Sequence, residues 1–143
     1  MLHSILVPVD VAQMKAGHAA LDLAKSIKKT EGGKIHILHV IEPLPGYVAT
    51  AIPAEVREKV SRETREELAA LAVEQGLGDE VDVIVRHGPA SREILEAARE
   101  VHAELIVIAS HDPGIADYLL GSVAARIVRH AHCSVLVVRK SKN

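Results

Sequence analysis

Glu104-Leu-Ile-Val-Ile-Ala-Ser-His111, followed by Leu119-Leu-Gly-Ser-Val-Ala-Ala-Arg-Ile-Val-Arg-His130 and Ser134-Val-Leu-Val-Val-Arg139, carries the reading of this chain. Leu105 to Ala109 is an apolar run of strand length, and Val135 to Val138 is another. Between them Val123, Ile127, Val128 and Ala131 fall at helical spacing. Continuous apolar strands joined by a helix predict parallel strands covered on both faces. Gly121-Ser122 stand where the helix starts. A helix mouth offers unpaired N–H groups and the positive end of a dipole, which attracts anions and phosphates above all. The Ser122 hydroxyl suits a cap on this helix, or a donor to a phosphate oxygen.

Working back along the chain, the same alternation repeats. Ser4 to Val9 reads as a strand ending at Asp10, and Ala16, Ala20, Leu23 and Ile27 mark a helix stopped by Gly32-Gly33. Lys34 to Val40 is the second strand. Glu42 to Ile52 carries two prolines and a glycine, the marks of a loop. Pro53 opens a long charged helix to about Gln75, with Val56, Val60, Leu68 and Leu71 as its apolar stripe and Thr64 bridging the gap. Val81 to Val85 is the third strand. A helix with Ile94, Leu95, Ala98 and Val101 follows the Gly88-Pro89 turn. The expected fold is therefore α/β: a doubly wound, Rossmann-like, five-stranded parallel sheet in the order 3-2-1-4-5, with helices on both faces. The length, 143 residues, suits one domain.

Composition narrows the function. Nearly half the residues, 48%, are hydrophobic, yet Phe and Trp are absent, so Val, Ile, Leu and Ala must build the core. A net charge of −2 gives no general pull on nucleic acid or anionic lipid. No apolar run is long enough for a membrane span, and the start lacks a secretory pattern. A single cysteine, Cys133, marks no oxidising compartment and reads as a small buried filler. A cytoplasmic home is the expectation.

In a doubly wound sheet, ligands sit beyond the carboxyl ends of the strands where the winding reverses. That places the cleft between Asp10 and the segment from Ala109 to Ser122. Asp10 suits a hydrogen bond to a base edge or ribose hydroxyl, and equally the capping of the turn that follows it. His111, at the mouth of the fourth strand, either meets a phosphate or faces water. His130, His132 and Cys133 lack the paired spacing of a zinc site, and no triad, acidic pair or HExxH stretch marks catalysis.

The chain resembles the universal stress protein family throughout. Ile5-Leu-Val-Pro-Val-Asp10, Ile37-Leu-His-Val40, Gly88 and Leu105 to Arg139 carry the likeness, most specifically Leu119-Leu-Gly-Ser-Val123 and the stretch Arg129 to Arg139. The resemblance implies a small cytoplasmic α/β domain, usually a homodimer. It implies a site for ATP or a related adenine nucleotide such as AMP. At most slow ATP hydrolysis or autophosphorylation is expected, since no general base is placed for it, and Mg is the companion that a metal-bridged ATP would take. The family signature is Gly-x2-Gly-x9-Gly-[Ser/Thr]. Gly121-Ser122 match its end, while Ala109 and Asp112 replace its first two glycines and the gap is one residue short. Asp112 would repel phosphates unless a cation lay between them, which leaves a monophosphate, a metal-bridged ATP or a rearranged loop.

Carried over residue by residue, the site is Pro8, Val9, Asp10, Val40, Ala109, Ser110, His111, Gly121, Ser122 and Val123. Val40 would pack on the adenine, with Pro8 and Val9 bordering it. An apolar last strand at the sheet edge (Val135, Leu136, Val137, Val138) predicts a homodimer pairing through it. The alternatives are a non-nucleotide interaction module of this fold and a receiver-type phosphoacceptor. The second lacks the acidic cluster it needs.

Overall fold

The computed structural model describes residues 2–42, 51–110 and 120–139. The expected loop from Glu42 to Ile52 falls largely outside them, as do His111 and Asp112. β1 (Ser4–Pro8) runs through a 3-10 turn (Val11–Gln13) into α1 (Met14–Glu31). β2 (Lys34–Ile41), α2 (Ala54–Glu74), β3 (Val81–His87), α3 (Ala90–Glu100), β4 (Leu105–Ala109), α4 (Ser122–His130) and β5 (Ser134–Val138) follow. The five strands form one parallel sheet in the order β3-β2-β1-β4-β5, as the sequence predicts.

Strand alternation divides the core into two layers. Ile5, Val7, Ile35, Ile37 and Val107 pack with Ala20, Leu21 and Ala24 of α1 and with Leu68, Leu71 and Ala72 of α2. Leu6, Leu38, Ile106 and Ile108 pack on the other face with Ile94, Ala97 and Ala98 of α3 and Ile127 of α4. A fully buried Leu or Ile contributes about 1.5–3 kcal/mol, more than a helix cap, so these alternating positions fix the register.

Three helices sit differently from their sequence patterns. The buried face of α1 is Gly17, Ala20, Leu21 and Ala24, while Ala16, Leu23 and Ile27 are half-buried. The helix is rotated so that Gly17, Ala20 and Ala24 turn inward beside Leu21. In α2 the residues from 54 to 60 are all exposed, including Val56 (46%) and Val60 (41%). Only from Thr64 onward does its stripe reach the sheet. In α4 the contact is narrow: Ala124 and Ile127 are buried and Val128 is exposed.

Candidate functional site

The carboxyl ends of β1 and β4 part company at the point where the winding reverses. β1 stops at Pro8, which pairs with Leu38. The Val9 N–H adds one more bond, to the Leu38 carbonyl at 2.7 Å. The Val9 carbonyl then accepts from His39 Nδ1 at 2.9 Å. Because a carbonyl oxygen only accepts, Nδ1 carries the ring hydrogen. The chain next bends into the 3-10 turn, where Asp10 Oδ1 accepts the Ala12 N–H at 2.9 Å. Asp10 therefore does cap the turn that follows it. On the other side, β4 stays on its partner: the Ser110 N–H donates to the Val138 carbonyl at 3.0 Å.

Between these ends lies a cavity of about 510 Å3. Leu38, Val40, Ile94 and Ile108 give it an apolar floor, and Val9, Ala16 and Gly17 line the α1 side. Gly17 is there for space. A Cβ at that position would lie 2.7 Å from Val9 Cγ1, so only glycine lets α1 start this close to the end of β1. Gly121 and the first turn of α4 close the opposite side. Gly121 is the N-cap, in an extended conformation (φ −65, ψ 158), and no side chain caps this helix. Ser122 is thus the first helical residue. The expected Ser122 cap is replaced by a bare backbone cap, because the glycine ahead of it takes the extended position. The Gly121 carbonyl accepts from the Ala125 N–H at 2.9 Å. The N–H groups of Ser122, Val123 and Ala124 precede any intrahelical acceptor and face outward from the helix mouth. Among the described residues, Asp10 and Glu42 are the acids on the wall, and none of those lining it is Lys or Arg.

Eight of the sequence-derived candidates line this cavity: Pro8, Val9, Asp10, Val40, Ala109, Gly121, Ser122 and Val123. Ser110 does not; its backbone extends the β4–β5 pairing. His111 lies outside the described residues. Sequence reasoning missed His39, Glu42 and Gly17. His39 and Glu42 flank the second strand's end and were open to the rule that placed Asp10. Nothing in the spacing marks Gly17, because its need arises from Val9 across the fold.

The α3 side of the floor is braced by charge. Arg86 on β3 donates to Glu93 at 2.9 Å, to Glu100 at 2.7 Å and to Glu96 at 3.3 Å. Arg92 adds a second contact to Glu93 at 3.3 Å. The Glu93 side chain is 9% exposed, and its hydrogen bond from Arg86 holds its carboxyl below the usual carboxylate range. Gly88 makes room for it: a Cβ there would touch Glu93 at 3.0 Å. Ala90 and Ile94 on the same helix then meet the cavity. Elsewhere, burial pushes the Cys133 thiol up, which makes it a poor nucleophile. His132 Nε2 accepts from Arg99 at 3.3 Å. No group of three or more metal-ligating side chains forms among the described residues, and none of their helices is long and apolar enough to cross a membrane.

The model of the universal stress protein family matches residues 1–139. Universal stress protein G of Shigella flexneri is 35% identical over 146 residues, spanning 97% of this chain and 100% of that protein. Among solved structures, the hypothetical protein MJ0577 is similar with a TM-score of 0.81 at 24% identity, covering 99% of this chain and 98% of that one. The universal stress protein from Archaeoglobus fulgidus in complex with dAMP is similar at TM-score 0.66 and 22% identity, covering 96% and 98%. At such identities the two structures speak for the fold. The family match and the curated relative go further: this chain belongs to the universal stress protein family.

Proposed function

We propose that the chain is a cytoplasmic stress-response or regulatory protein that binds an adenine nucleotide in the cavity between β1 and β4, as a ligand rather than as the substrate of fast chemistry. The observation that carries this is the convergence of the Asp10 carboxylate and the bare α4 mouth on one cavity of about 510 Å3, a volume within the usual range for small-molecule sites. The base lies against Pro8, Val9 and Val40, Asp10 accepts from a ribose hydroxyl, and the N–H groups of Ser122 and Val123 meet phosphate.

Charge decides the phosphate number. The described residues of the wall include Asp10 and Glu42 and no Lys or Arg. A helix mouth alone contributes at most ~2 kcal/mol to an anion, too little to balance a triphosphate beside two carboxylates. An AMP-type nucleotide is therefore the favoured ligand, and ATP enters only with Mg2+ between its phosphates and the acids. The archaeal relative solved with dAMP supports the same direction. Two copies pair through β5, where Val135, Leu136, Val137 and Val138 form a half-buried apolar strand at the sheet edge.

Denaturing the purified protein and examining the supernatant by mass spectrometry should release adenine nucleotide. Calorimetric titration should show AMP binding without metal and ATP binding only with Mg2+. No heat at millimolar AMP or ATP, with or without Mg2+, would overturn the proposal. It would favour the dimeric interaction module instead, a reading to which the two acids Asp10 and Glu42 on the wall also lend themselves.

A further inference from the structure

We infer that His39 is a positioning residue at the base end of the cavity: its ring N–H takes the Val9 carbonyl, stops β1 from pairing onward with β2, and leaves the Val40 backbone amide open to a ligand. The last clause rests on the nucleotide reading; the rest does not.

In a parallel pair, backbone groups along one strand point alternately to its two neighbours. On β2, the Leu38 carbonyl serves β1 by accepting from Val9, and the Ile41 carbonyl serves the β3 side by accepting from Gly88 at 3.1 Å. Val40, two residues past Leu38, is again in the phase that faces β1. Regular continuation of the ladder would send its N–H to the Val9 carbonyl. That oxygen instead accepts from His39 Nδ1, and Val40 makes no bond to it. The side chain has replaced the next rung.

Two other features hold the break in place. Asp10 Oδ1 folds the chain away from β2 by taking the Ala12 N–H, and Gly17 lets Val9 settle against α1. Val40 lines the cavity, beside Pro8, Leu38 and Ile108. An amide donor on an apolar wall needs a partner from water or ligand. His39 thus sets up a hydrogen-bonding edge on the wall opposite the phosphate end without touching the ligand through its own donor. A ligand with a flat heteroaromatic edge matches it.

The test compares wild type with His39→Leu, which deletes the donor, and His39→Asn, whose side-chain N–H stands near the position of Nδ1. Backbone hydrogen exchange is followed by NMR on the whole chain without nucleotide. The Val40 amide should exchange fast in wild type and in His39→Asn, and become protected in His39→Leu as the ladder closes onto Val9. Adding AMP should protect it in wild type. His39→Leu should weaken AMP binding on the order of tenfold, with His39→Asn restoring it to within about threefold. A Val40 amide that is slow to exchange in free wild type overturns the inference, whether or not the variants fold. So does an Asn variant that behaves like the Leu variant, since the ring's bulk and not its N–H would then be the cause. If wild type binds no nucleotide while the exchange contrast holds, the binding proposal fails and the positioning role stands.

Discussion

The two walls of the cavity are made by different means. The β1 wall is held by particular side chains: His39 on the Val9 carbonyl, Asp10 on the Ala12 N–H, and the absence of one at Gly17. The α4 wall is held by backbone, since its N-cap is a glycine and no side chain caps the helix. The first wall has its shape chosen by residue identity at several points. The second needs only that nothing fill the helix mouth. The walls should therefore break differently, the first through folding and shape, the second through ligand access alone.

The largest expected effect is at the backbone-made wall. Gly121 is buried at the cavity, in a conformation that other residues also adopt. Gly121→Leu should thus fold, while its side chain crowds the α4 mouth. Losing two N–H contacts to a charged phosphate predicts on the order of a hundredfold weaker AMP binding. Titration with AMP checks it, with the denaturant midpoint as control. Unchanged affinity would move the phosphate elsewhere.

Next comes Gly17→Val at the side-chain-made wall. The added Cβ meets Val9 Cγ1 at 2.7 Å, and the stiff Val9 side chain has little room to turn away. Overpacking of this kind costs about 1–3 kcal/mol, read as a lower denaturant midpoint. Val9→Ala in the same chain should recover part of the loss. A double mutant no more stable than Gly17→Val alone would show that Val9 is not what Gly17 accommodates.

How much of this could be read from the chain follows the same division. Strand order was legible because Leu105 to Ala109 and Val135 to Val138 are apolar at every position, as only strands covered on both faces are. The α4 mouth was legible because Gly121-Ser122 is a local signal. The rotation of α1 was not: Leu23 and Ile27 look better suited to burial than Gly17 and Ala24, and the closeness of Val9 to Gly17 is visible only in the fold. Val56 and Val60 misled for the opposite reason. Their spacing is right for a buried stripe, but helical spacing says which residues share a face and not whether the sheet extends beneath it. His39 hides in a strand, where alternation accounts for an inward or outward side chain but not for a ring that reaches back to its neighbour's carbonyl.

A second contrast sets the cavity end of the sheet against the other end. At the cavity end, Arg86 meets the buried Glu93 with full hydrogen bonds. At the amino end, His36 is buried with Nδ1 3.2 Å from Asp82 Oδ2, close enough for an ion pair but without hydrogen-bond geometry. Burial lowers its pKa from the ordinary 6.5, Asp82 opposes that shift, and Lys34 adds to it. The unfolded chain therefore takes up this proton before the folded one does. The neutral ring's contribution is full above the ordinary value and is lost as pH falls below it, until the folded ring also protonates. Denaturant midpoints between neutral and mildly acidic pH should fall, and His36→Met should flatten the slope. A slope unchanged in that variant would assign the acid sensitivity to other groups.

The smallest effect is the sharpest test of how the α4 wall is made. A serine that caps a helix typically contributes ~1 kcal/mol, so its replacement by alanine is normally visible in stability. Here the cap position belongs to Gly121, and Ser122 is an exposed first helical residue. Ser122→Ala should change stability by no more than about 0.5 kcal/mol, as for an ordinary surface position. AMP affinity is the second readout. If the backbone N–H groups hold the phosphate, the change is small there too. If the hydroxyl also donates, affinity falls by up to roughly tenfold while the denaturant midpoint stays put. A clear loss of stability would mean that the hydroxyl caps the helix after all, and the distinction between a side-chain-made wall and a backbone-made wall would go with it.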